Sequence, residues 1–76
     1  MRIGEQNYQF CRCSDIVRDG MYLEVTQSVD GKVIQIAEVF FSDITAEFTL
    51  SCFIEDVPLG LIEELIRRAR KLLPPA

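Results

Sequence analysis

Nine residues near the middle of the chain, Val33-Ile34-Gln35-Ile36-Ala37-Glu38-Val39-Phe40-Phe41, carry apolar side chains at both odd and even positions. Side chains alternate across a strand, so this run calls for cover on both faces of a sheet. The whole chain has only 76 residues, near the lower size at which one hydrophobic core sustains a domain. Little else is available to cover two faces.

The segments on either side supply the other strands. Residues 7–13 alternate with Tyr8, Phe10 and Arg12 on one side and Gln9, Cys11 and Cys13 on the other. Residues 21–27 alternate more cleanly, with Met21, Leu23 and Val25 inward and Tyr22, Glu24 and Thr26 outward. Asp30-Gly31 lies between two β-rich runs and predicts a tight hairpin, because such turns need positive φ. It leads into a third strand over 32–42. Ser42-Asp43-Ile44-Thr45 supplies turn residues before a fourth strand over 47–55, with Phe48, Leu50, Cys52 and Ile54 inward.

Pro58 marks a change of period, as proline suits the first turn of a helix. Asp56 is expected to cap the amides there. The helix is expected over 58–73, resting on the sheet through Ile62, Leu65, Ile66, Ala69 and Leu73. Glu63–Arg67 and Glu64–Arg68 are i,i+4 pairs. Pro74-Pro75 is expected to stop the helix. The chain thus reads as one domain over 1–76 of the α+β class. It is a four-stranded antiparallel meander with one C-terminal amphipathic helix packed on one face.

That helix, about 10 Å across, covers the middle of one face of a sheet about 15–20 Å wide. Apolar residues it misses are left for the other face. They are Phe53, Tyr22 and either Val33, Ala37, Val39 and Phe41 or Ile34, Ile36 and Phe40, since the register is open at this point. Tyr22, Val33, Ala37, Val39, Phe41 and Phe53 are therefore the candidate interface. The expected occupant is a second copy or another protein.

Recognisable catalytic patterns are missing from the sequence. It contains no histidine, the commonest general base and metal ligand. No phosphate-binding glycine loop or nucleophile elbow occurs. Cys11 and Cys13 share a strand face, but zinc wants four ligands and only Cys52 is left. The three cysteines are expected to be buried apolar residues, with no metal and no cofactor. Arg67, Arg68, Arg70 and Lys71 read as a solvated helix face. With 12 acidic against 8 basic residues and a net charge of −4, the chain repels phosphate backbones. No apolar run is long enough to span a bilayer. The N-terminal residues lack the apolar core of a signal peptide, and three cysteines cannot all pair. A reducing, cytoplasmic setting is expected.

The order of four antiparallel strands and a C-terminal helix resembles the PC4 and PUR-repeat single-stranded-DNA-binding domains. That resemblance implies a dimer that grips nucleic acid on its sheet, through Tyr22, Phe53, Lys32 and helix arginines. The helix sequence, from Pro58-Leu59 through Leu61-Ile62-Glu63, Leu65-Ile66 and Ala69-Arg70 to Leu72-Leu73-Pro74, is similar to the ends of many small uncharacterised bacterial proteins. The residues themselves favour a small non-enzymatic protein-interaction module, a homodimer associating through the open sheet face. A nucleic-acid-binding protein of the PC4/PUR-like kind is the alternative.

Overall fold

A computed structural model describes residues 1–73 of the chain. Pro74-Pro75, the expected helix stop, lies outside the described residues. Two two-residue strands, β1 (Arg2–Ile3) and β2 (Gln6–Asn7), form a small antiparallel hairpin that sequence reading did not anticipate. Four longer strands follow, β3 (Gln9–Asp15), β4 (Gly20–Val29), β5 (Lys32–Ser42) and β6 (Phe48–Cys52). They are antiparallel and lie in sequence order, with β3 and β6 at the edges. Helix α1 (Leu59–Leu72) closes the order and packs on β4 and β5.

The Asp30-Gly31 turn forms as expected. Both residues have positive φ, 51° and 78°, so the two-residue loop twists with its strands and joins Val29 to its partner Lys32. The core lies between the sheet and α1. It contains Leu23 and Val25 of β4, Ile36, Ala37, Val39 and Phe41 of β5, and Leu61, Leu65, Ala69 and Leu73 of the helical segment. The N-terminal Tyr8 is buried in the same core.

The faces of β5 divide in a way that neither alternation pattern anticipates. Val25 pairs with Ala37 but Thr26 pairs with Gln35, leaving Ile36 as an extra residue, a β-bulge. One extra residue reverses the alternation. Beyond it Ala37, Val39 and Phe41 turn to the helix, while Ile36 also enters the core. The helix therefore takes three residues from one expected set and Ile36 from the other.

The helix is rotated from its expected setting. Its buried stripe is Leu61, Leu65 and Ala69, continued by Leu73, a spacing of four that keeps one side facing the sheet. Ile62 is half-buried and Ile66 is 37% exposed, so Leu61 takes the place expected for Ile66. The doublets Leu61-Ile62 and Leu65-Ile66 offer two adjacent apolar stripes, and the sheet beneath decides between them. Asp56 does not cap the helix. It has φ 54°, Pro58 is the N-cap residue, and no side chain caps there. The Pro58 carbonyl instead accepts from the Leu61 and Ile62 amides at 3.0 and 3.2 Å. Glu64 holds both Arg67, at 2.7 Å, and Arg68, at 2.9 Å, so Arg67 turns to Glu64 rather than Glu63.

Candidate functional site

The sheet face away from the helix is mostly polar. The register places Gln9, Cys11 and Cys13 of β3 beside Thr26, Glu24 and Tyr22 of β4. Glu38 and Phe40 of β5 follow, and then Ser51 and Thr49 of β6. Phe40 is the large apolar residue here, yet it is buried. Its cover is Arg18, from the loop between β3 and β4.

Several local features hold Arg18 in place. The Asp15 carboxylate accepts from the Arg18 backbone amide at 3.1 Å and from its Nε, which closes the loop as an aspartate turn. Asp19, at φ 51°, then reverses the chain into β4, and its carbonyl accepts from the Asp43 amide at 2.9 Å. From there the guanidinium lies over the Phe40 ring, 4.1 Å from its centroid, and near Tyr22 at 5.9 Å. It also donates to Glu38 Oε2 at 2.8 Å. The hydrogen bond to Arg18 holds the Asp15 carboxyl below its ordinary range, and the same bonds raise Arg18. Glu24 and Glu38 stand directly opposite one another, which is unfavourable for like charges. Each has its own donor, Gln35 at 2.9 Å for Glu24 and Arg18 for Glu38.

The six candidate interface residues are not brought together. Ala37, Val39 and Phe41 are in the core beneath the helix, which corrects their assignment to an interface. Their pairing with Val25, Leu23 and Met21, the helix-facing residues of β4, is the reason. Tyr22 is half-buried on the polar face, while Val33 and Phe53 are exposed, at 74% and 49%. On β6 and just after it, Leu50, Phe53 and Ile54 are each more than two-fifths exposed. Between β6 and α1 runs a groove of about 170 Å³ lined by Val39, Phe48, Leu50, Ile66 and Ala69, with Arg70 at its side. β6 pairs only with β5, and the Phe53 amide continues that ladder to the Ile36 carbonyl at 2.8 Å. The outer edge of β6 therefore has no strand partner among the described residues.

The cysteines are at the surface and not in the core, contrary to expectation. Cys11 and Cys52 are exposed, Cys13 is half-buried, and all three are free thiols. The sulfurs of Cys11 and Cys13 are 3.3 Å apart. Cys13 raises the Cys11 thiol through a hydrogen bond and through charge. A hydrogen bond with Cys13 and partial burial push the Tyr22 hydroxyl up to about 12. No group of three or more His, Cys, Asp or Glu side chains is placed to hold a metal ion among the described residues. None of their helices is long and apolar enough to cross a membrane.

Arg18 is the residue that sequence reading passed over, since residues 14–20, which connect the first two expected strands and contain the turn dipeptide Asp19-Gly20, read only as a turn. The available signal was its isolation, as the sole basic residue between Arg12 and Lys32. No protein-family model, curated protein or solved structure matches this chain.

Proposed function

We propose that the chain is a small non-enzymatic protein-interaction module that self-associates along β6. One observation carries this reading: the unpaired β6 edge lies beside the apolar groove of Leu50, Phe48 and Ile66. An exposed edge strand is a template for another strand, and two-fold pairing of identical edges is the simplest closed assembly. Two β6 strands paired antiparallel extend the sheet across both copies and bring Leu50 and Phe53 of each toward the junction. The polar sheet face is then left to solvent, which departs from an association through that face. Its charge also supports a protein partner over nucleic acid. Asp15, Glu24 and Glu38 lie on or beside it, and Arg18 is held by two of them, so it offers little to a phosphate backbone. Free thiols fit a reducing, cytoplasmic setting.

Sedimentation at micromolar concentrations tests the reading. The wild-type chain is expected to sediment as a dimer. Leu50→Lys and Phe53→Glu variants are expected to be folded monomers, because both positions are exposed in the single chain. A monomeric wild type, or variants that remain dimeric, would overturn association along β6.

A further inference from the structure

We propose that Cys11 and Cys13 form a two-sulfur chelate for a trivalent thiophilic metalloid, an arsenic(III) or antimony(III) hydroxide. The inference is independent of self-association, because β3 and β6 are opposite edges of the sheet. Both cysteines are on the sheet face away from the helix, on an edge strand, with Glu24 and Tyr22 as their cross-strand neighbours.

The spacing fits the ligand. Same-face neighbours on a strand have backbones about 6.8 Å apart, so two sulfurs at 3.3 Å lean toward one another. A direct disulfide needs Cβ atoms only about 3.5–4.5 Å apart, which an extended strand does not provide. A third atom bridging the sulfurs requires no such contraction. Tetrahedral zinc, with bonds of about 2.3 Å, spreads two sulfurs to about 3.8 Å, and a linear cation at that bond length spreads them to about 4.6 Å. A pyramidal centre with near-right-angled bonds of the same length sets them about 3.3 Å apart. Ligand number agrees, as zinc wants four ligands and this cluster offers two sulfurs with no third metal-binding side chain among the described residues.

A metalloid hydroxide brings its own proton acceptors. Two S–H groups and two metalloid–OH groups give two metalloid–sulfur bonds and two waters, with every oxidation state unchanged. The third position keeps its own hydroxide or organic substituent.

The probe is phenylarsine oxide, with arsenite as a second ligand, added to the full reduced chain. Intact mass is expected to show one arsenical per chain, and the Tm is expected to rise because the folded strand holds the sulfurs together. Cys11→Ser and Cys13→Ser should each weaken binding about 10²-fold or more, since the second bond is then no longer intramolecular. Cys52→Ser should bind as wild type, and equimolar zinc should not displace the arsenical. Undiminished binding in both serine variants would overturn the site. Binding without a rise in Tm would overturn it too, as would displacement by equimolar zinc.

Discussion

The Arg18 guanidinium carbon lies 4.1 Å from the Phe40 ring centroid, while one of its nitrogens donates to Glu38. A single loop side chain therefore covers the Phe40 ring of β5 and neutralises the carboxylate beside it. Cation–π contact accounts for the first effect, and a charge-assisted hydrogen bond for the second. This is how so short a chain covers the second face of β5.

Removing Arg18 uncovers Phe40 and leaves Glu38, whose side chain is only 8% exposed, without its partner. Arg18→Ala is expected to lose about 1–2 kcal/mol in urea unfolding. Glu38→Gln in the same background should recover part of that loss, because the orphaned charge is gone. Equal stability of Arg18→Ala and wild type would show that the guanidinium covers nothing.

The rotated helix makes a second prediction. Leu65 is wholly buried and Ile66 is partly exposed beside the β6 groove. Leu65→Ala should cost about 2–5 kcal/mol, and Ile66→Ala less than about 1.5 kcal/mol. Paired thermal melts distinguish this setting from one in which Ile66 faces the sheet, where the order reverses.

Gly20 is a second test of the Arg18 corner. A Cβ there would lie 2.2 Å from the Phe41 carbonyl oxygen and 2.6 Å from the Phe40 ring. Backbone cannot step aside cheaply, so Gly20→Ala is expected to cost on the order of 3 kcal/mol. Gly31→Ala meets nothing within 4 Å and bears only the strain of φ 78°, about 1 kcal/mol. Chemical denaturation of the two variants gives the comparison directly.

Acid should weaken the helix surface in a definite window. Hydrogen bonds from Arg67 and Arg68 bring the Glu64 carboxyl from 4.5 down to about 2. The folded state therefore favours the charged form, and the unfolded chain binds more protons between those values. The contribution is present above pH 4.5 and is lost as pH falls toward 2. Comparing wild type with Glu64→Gln across that range should show the wild-type advantage shrinking with acidification. An advantage that is constant with pH would place Glu64 outside the network.

Tyr22 gives the alkaline counterpart. Its phenol is pushed up to about 12, first by the hydrogen bond with Cys13. Cys13→Ala should bring the Tyr22 phenolate transition down toward 10, read by ultraviolet absorbance in a Tyr8→Phe background. Because the folded state favours the protonated phenol, its stabilising contribution is present below pH 10 and fades as pH rises toward 12.

The sequence makes legible the order of the four long strands and the helix, the Asp30-Gly31 hairpin, the bounds of β5 and the presence of one amphipathic helix. These depend on local period and on turn residues whose φ is set by their own chemistry. It left the faces of β5 and the rotation of α1 undecided. The bulge at Ile36 arises from pairing with Val25 and Thr26, and no glycine marks it in the chain. Adjacent apolar doublets likewise let α1 turn either stripe inward, so the choice rests with the sheet surface beneath. The cover over Phe40 was least visible of all. It requires a loop closed by Asp15, a glycine with no Cβ at position 20, and Glu38 brought beside Arg18 from 20 residues away. Only the folded sheet puts those three together.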